Sequence, residues 1–202
     1  MTETRIAIVY YSATGNVAAM AHAMAEGASR EGAEVRVRRV AETAPAEAIA
    51  ANPRWQAFVD SAADPLASLE DLSWAQGLAF GSPTRFGGPA SQLKAFLDTT
   101  GGLWFTGELA TKVCTPFTTA STGHGGLEST ILALNNHFYH WGSIIVPLGY
   151  ADAHVAKVTG NPYGASFVSR KGSAPDDDAL EASRLQGARL ARVTAQLAGA
   201  DS

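Results

Sequence analysis

The sequence predicts a doubly wound α/β domain: a five-stranded parallel sheet with helices on both faces. Three observations carry this. Short, nearly continuous apolar segments alternate with longer segments of helical periodicity. The chain opens on a βαβ pattern of about forty residues. Three of the turns that follow strands are rich in glycine and hydroxyl residues. The length of 202 residues fits one domain over residues 1–202.

Arg5 to Tyr11 is apolar, β-branched and aromatic, as a strand covered on both faces must be. After the turn Ser12-Ala13-Thr14-Gly15-Asn16, residues Val17, Met20, Ala21, Met24, Gly27 and Ala28 fall on one helical stripe that Gly32 ends. Glu34 to Val40 alternates Val35 and Val37 with Arg36 and Arg38, giving a second strand whose arginines are read as solvated. Residues 41–73, with Pro45, Pro53 and Pro65, read as an irregular excursion holding short helical pieces. Trp55 within it and Trp74 at its end cover the sheet or meet another subunit.

Gly77 to Gly81 is a third strand, closed by a turn from Ser82 to Pro89. A helix follows with Leu93, Phe96 and Leu97 on one face, then a loop from Gly101-Gly102 through Trp104 and Phe105. Lys112 to Thr119 is a fourth strand, oddly interrupted by Pro116. The turn Thr122-Gly123-His124-Gly125-Gly126 leads to a helix carrying Leu127, Ile131, Leu134, Phe138 and Trp141. Ser143 to Pro147 is the fifth strand, and residues 149–175 a long loop. Asp178 and Glu181 suggest a capping box for the last helix.

Composition narrows the function. Hydrophobic residues are 46% and charged residues 17%, with a mean hydropathy of -0.01, enough apolar material for a core. A net charge of -4 removes the electrostatic attraction on which general nucleic-acid binders rely. Lone Cys114 forms neither an internal disulfide nor a cysteine-based zinc site, and reads as a buried, inert thiol. His137 and His140, three apart, are a weak basis for a metal, and His22 and His154 read as surface or partly packed residues. No apolar run approaches the ~20 residues of a membrane span, and Met1 to Arg5 does not read as a signal peptide. A cytoplasmic protein is the expectation.

Ligands of such sheets bind beyond the carboxyl ends of the strands, where the strand order switches. The first turn lacks both Gly-x-Gly-x-x-Gly and Gly-x4-Gly-Lys-Ser/Thr, so neither a dinucleotide turn nor a triphosphate loop is supported. It offers Ser12, Thr14, Gly15 and Asn16 at a helix N-terminus, which can cradle a phosphate dianion without any cation. The plain alternative is a helix cap with a glycine easing the turn. Gly-x-Ser-x-Gly is absent, as is the arginine that a cysteine phosphatase needs after Cys114.

Ser12-x-Thr14-Gly15-Asn16 after a buried strand resembles the FMN phosphate loop of flavodoxins. The segments Gly81-Ser82-Pro83-Thr84-Arg85-Phe86-Gly87, Phe96 to Trp104, Val146-Pro147-Leu148-Gly149-Tyr150 and Asn161-Pro162-Tyr163-Gly164-Ala165 narrow the likeness. Together they resemble the tryptophan-repressor-binding-protein (WrbA) family of flavodoxin-like NAD(P)H:quinone oxidoreductases, from Ile6 to the last helix. The resemblance implies that Ser12, Ala13, Thr14, Gly15, Asn16 and Val17 hold the FMN phosphate. Pro83, Thr84, Arg85, Phe86 and Gly87 would run along the isoalloxazine edge, and Thr119, Ala120, Ser121, Thr122, Gly123 and Gly125 would form the third flavin loop. His140 would approach the ring, while Trp104, Phe86 and Thr14 would border the substrates. Two departures stand out: Thr14 replaces an aromatic found in many relatives, and the third loop, with His124, reads one residue longer.

The resemblance implies ping-pong hydride transfer from NADH or NADPH to a quinone on one open flavin face, and a homotetramer with shared active sites. The aromatic walls suit two planar substrates in turn. The rival expectation is a flavodoxin-type one-electron carrier that docks protein partners, for which a net charge of -4 is a modest acidic surface.

Overall fold

The computed structural model describes residues 3–150, 153, 155–158 and 160–200, so His154 lies outside the described residues. β1 (Arg5–Tyr10), α1 (Asn16–Arg30) and β2 (Glu34–Arg39) form the opening βαβ unit. β1 is central: it pairs in parallel with β2 on one side and with β3 (Gly77–Arg85) on the other, and Ile6 to Tyr10 are at most 1% exposed. That double burial is why its sequence is apolar without alternation. β2 is an edge, and it alternates.

The arginines of β2 are not simply solvated. Arg36 and Arg38 both reach the Asp71 carboxylate, at 3.3 and 3.0 Å, and the Arg36 guanidinium lies 4.0 Å from the centroid of Trp74. Asp71 is 4% exposed, so this cluster is a partly desolvated anchor for the excursion. The excursion itself holds α2 (Ala46–Ala50), α3 (Pro53–Ser61) and α4 (Leu69–Trp74). Asn52 caps α3 by accepting from the N–H groups of Arg54 and Trp55, with Pro53 in the first turn, and Ser68 with Asp71 makes a capping box on α4.

β3 runs past Gly81 to Arg85 because a two-residue turn at Phe86-Gly87 folds β4 (Gly88–Pro89) back onto it. Both turn residues have positive φ, 52° and 80°, as the tightest hairpins require. α5 (Ser91–Asp98) follows, and the segment expected as a loop around Trp104 is a short helix, α6 (Gly101–Phe105). β5 (Val113–Ala120), α7 (Leu127–Trp141), β6 (Ile144–Ile145), α8 (Val155–Val158), β7 (Ser166–Val168), a 3-10 turn (Arg170–Gly172) and α9 (Asp177–Ala200) complete the chain. The α9 start is capped by Asp176 in place of the expected Asp178: its carboxylate accepts from the Ala179 N–H at 2.9 Å.

The sheet order is β2-β1-β3-β5-β6, with β4 on β3 and β7 on β5: seven strands in place of five. The extra two come from the hairpin and from a divided fifth position. β6 pairs β5 at Val113 and Cys114, and β7 pairs it at Thr118 to Ala120. Pro116 lies in the gap between them, where its missing N–H costs no ladder bond. One apolar layer packs α1 and α9 on the sheet, and the other packs α4, α5 and α7. No helix among the described residues is long and apolar enough to cross a membrane.

Candidate functional site

The carboxyl ends of β1, β3 and β5 bring three loops together. In the first, Ser12 is 6% exposed and its Oγ accepts from the Gly15 N–H at 3.0 Å. Gly15 stands at φ 90°, a left-handed conformation that a side chain would strain, and it hands the chain into α1 with no side-chain cap. No acidic residue occupies the first turn of α1. The helix therefore offers its first N–H groups and the positive end of its dipole to the space in front of the loop. The Asn16 side chain is turned elsewhere: its Nδ2 donates to the Ser173 carbonyl at 3.0 Å and fixes the turn after β7.

Thr84 clasps the second loop to the third. Its hydroxyl donates to the Gly125 carbonyl at 3.2 Å and accepts from Thr130 Oγ1 at 2.8 Å and from the Gly87 N–H at 3.2 Å. The contact is closed by glycine on both sides. A Cβ on Gly126, whose φ is 97°, would sit 2.7 Å from the Cα of Gly87. Phe86 stands at the hairpin tip with a φ of 52° and its ring fully in solvent. A strained, exposed aromatic beside a pocket is a common mark of a ligand surface.

Between the loops lies a cavity of about 250 Å³. Its wall takes Ser12, Ala13, Thr14, Asn16 and Val17 from the first loop, Pro83, Thr84 and Arg85 from the second, and Thr119, Ala120 and Ser121 from the third. Gly15 lies behind the wall as the hinge of the turn, and Phe86 and Gly87 form the hairpin tip beside it. Thr122, Gly123 and Gly125 do not line the cavity; Gly125 closes its loop by donating to the Thr122 carbonyl at 3.0 Å. Three lining residues escaped sequence reasoning: Asn52, Trp55 and Ser169. Ser169 arrives because its N–H donates to the Ala120 carbonyl at 2.7 Å, continuing the β7 ladder. A larger hollow of about 530 Å³ is lined by Leu127, β7 and the start of α9, but takes no residue from the first two loops.

Arg85 is the one charged side chain among the described residues on the wall of the smaller cavity. Glu42, the carboxylate bonded to the Trp55 indole of that wall, is saturated. It accepts from Tyr11 Oη at 2.8 Å, Trp55 Nε1 at 2.9 Å, Gln92 Nε2 at 2.8 Å, and the N–H groups of Thr43 and Ala44 at 2.9 Å. Burial pushes its pKa up, but the donors from Ala44, Gln92, Tyr11 and Trp55 outweigh that and hold it below the usual carboxylate range. The same burial and the same carboxylate push the Tyr11 hydroxyl up, so it stays a donor.

Trp104 and His140 stand apart from these loops within one chain. α7 starts beside the third loop and ends where the chain re-enters the sheet in parallel, so the helix carries His140 about 20 Å from Leu127 toward the opposite end. There the Trp104 Nε1 donates to the His140 carbonyl at 2.9 Å. Trp104, Phe105 and Tyr139 are 52, 84 and 66% exposed. Neither Trp104 nor His140 is among the described residues that line the cavity of their own chain.

Residues 4–157 match the family described as NADPH-dependent FMN reductase. The chain is 43% identical over 196 residues to a protein of Deinococcus radiodurans named NAD(P)H dehydrogenase (quinone), covering 96% of this chain and 98% of that one. A protein of the same name from Sinorhizobium fredii is 42% identical over 200 residues, again covering 96% and 98%. Among solved structures, a flavodoxin, WrbA-like protein from Agrobacterium tumefaciens superposes with a TM-score of 0.70 at 26% identity, covering 96% of this chain and 99% of that one.

Proposed function

The chain belongs to the family of NADPH-dependent FMN reductases, and we propose that it is an FMN-dependent NAD(P)H dehydrogenase acting on quinones. The observation that carries this is the cavity itself. An uncapped helix N-terminus, a left-handed glycine turn and two further strand-end loops converge on a space with no carboxylate among the described residues of its wall. Those features fit FMN: hydroxyls and N–H groups for a phosphate dianion, and a clasped pair of loops for a planar ring.

Bound FMN supplies the two-electron exchange that links a nicotinamide donor to a quinone acceptor. The protein's part is positioning and electrostatics. Ser12, Thr14 and the backbone from Ala13 to Val17 would hold the phosphate. The backbone N–H groups of Thr84 to Phe86 would face the polar edge of the ring and stabilise negative charge there. Thr119 to Ser121 would support its other side. Arg85, exposed at the rim, adds the positive charge that draws an anionic dinucleotide in. Phe86 offers stacking area to each substrate, and one open face used by both in turn gives ping-pong kinetics.

The working form we propose is a homotetramer in the cytoplasm, where one unpaired cysteine and a nicotinamide donor are at home. Trp104 and His140 then act in a neighbouring copy's site. A cluster of exposed aromatics at the pole opposite the loops is the surface such an assembly would cover.

Anaerobic stopped-flow absorbance at the flavin band tests the activity. FMN-loaded protein should bleach fully with NADH or NADPH and recover rapidly on addition of benzoquinone. Resistance to both nucleotides, with normal reduction by dithionite, would refute it and leave a carrier fed by a partner protein.

A further inference from the structure

Trp55 is the one aromatic among the described residues that line the cavity, and it is half-buried. Its placement is over-determined for a surface tryptophan. Asn52 caps the backbone of its helix. Glu42 then fixes the ring's polar edge, accepting from Nε1 at 2.9 Å. The same carboxylate gathers the end of β1 through Tyr11, the chain after β2 through Thr43 and Ala44, and the start of α5 through Gln92. Four segments thus meet on one carboxylate, whose charge is spread over five donors. A bare carboxylate behind the cavity wall would repel a dianion; this one shares its charge among five donors, the indole among them.

We propose that Trp55 is a cofactor-contacting residue, a rigid aromatic wall for the phosphate-bearing heteroaromatic ligand of this cavity, and that Glu42 is its positioning residue. This rests on the FMN reading above. An indole locked before the ligand arrives loses little rotamer freedom on binding, so its dispersion and stacking contacts go into affinity. No periodicity places Trp55 there; the Glu42 bracket does.

The test is titration of apoprotein with FMN, following flavin fluorescence for the dissociation constant and tryptophan emission for proximity. Trp55→Ala should weaken binding about tenfold, while Trp55→Phe, which keeps a planar face, should stay within about threefold of wild type. The Trp55→Phe protein should also lose part of the FMN-induced quenching of tryptophan emission. Glu42→Gln should weaken FMN binding alone and add nothing in the Trp55→Ala background, a coupling that general destabilisation would not produce. If Trp55→Ala binds FMN within twofold of wild type and quenching is unchanged in Trp55→Phe, Trp55 touches no cofactor and the proposal falls while the quinone reductase reading stands. Wild-type protein that binds no FMN at all overturns both.

Discussion

Gln186 is the side chain on which the divided edge of the sheet depends. It is fully buried on α9; its Nε2 donates to the Pro116 carbonyl at 2.8 Å and to Thr115 Oγ1, and its Oε1 accepts from the Ala165 N–H. In Gln186→Leu, the Pro116 carbonyl and the Ala165 N–H are left without partners in a dry site. Each orphan costs about 1–3 kcal/mol, about 4 for the pair at mid-range, and the added apolar burial returns about 1–2, so the net loss centres on about 2.5 kcal/mol. Urea unfolding followed by circular dichroism measures it as a lower midpoint. FMN affinity should fall as well, because Ala165 leads into β7 and so to Ser169 on the cavity wall. A loss below about 0.5 kcal/mol would show that the edge pairs without Gln186, refuting this account of how a proline is tolerated mid-sheet.

Gly126→Ala should cost about 1–3 kcal/mol and loosen FMN binding, since at φ 97° a Cβ would press within 2.7 Å of the Cα of Gly87; paired melting curves and FMN titrations check both. Asp71 is pushed up by burial but held below the usual carboxylate range by Ser68, Arg38 and Arg36, so it stabilises the fold above about pH 4 and that contribution is lost as acid protonates it. Asp71→Asn should therefore lower the urea midpoint at pH 7 and flatten its decline at acid pH. Burial pushes the Cys114 thiol up to about 12, so the folded state keeps its proton where the unfolded chain ionises, and stability should fall as pH rises above about 8.5. Cys114→Ala should remove that alkaline slope, and native protein should not react with a thiol reagent before it unfolds.

What the sequence made legible was whatever rests on local pattern. β1 was visible because it is buried on both faces, α1 and α7 because their apolar residues keep one stripe, and the three loops because glycines and hydroxyls follow apolar runs directly. What it hid depends on contacts distant in the chain. β7 is three residues inside a glycine-containing loop, and it reaches the sheet because Gly164 lets the backbone come against Pro116: a Cβ there would lie 2.5 Å from that carbonyl. Trp55 meets the cavity through a carboxylate 13 residues away. α6 starts on two glycines, which propensity alone reads as a loop, yet the Trp104 N–H reaches the Thr100 carbonyl at 3.0 Å and the turn closes. Arg36 and Arg38 look solvated until Asp71 is brought beneath them.

The distance between the two halves of the expected site has a topological cause that leads to a decisive experiment. In a parallel sheet every returning helix runs away from the carboxyl ends of the strands, so a residue late in α7 is carried off by the same geometry that puts Leu127 beside the third loop. If Trp104 and His140 serve the pocket, they serve it in another copy. Two variants with defects in opposite halves should then complement one another. Gly15→Asp spoils the phosphate loop by strain and charge, while Trp104→Ala with His140→Ala removes the far half. Each alone should reduce quinones poorly. Co-expressed and randomly assorted into two-fold pairs, half the pairs are hybrids with one intact site of two, so activity should return to about a quarter of wild type. Hybrids verified by native mass spectrometry that stay as inactive as their parents would show that the two poles do not share a site. The aromatic cluster at Trp104, Phe105 and Tyr139 would then need a purpose other than catalysis.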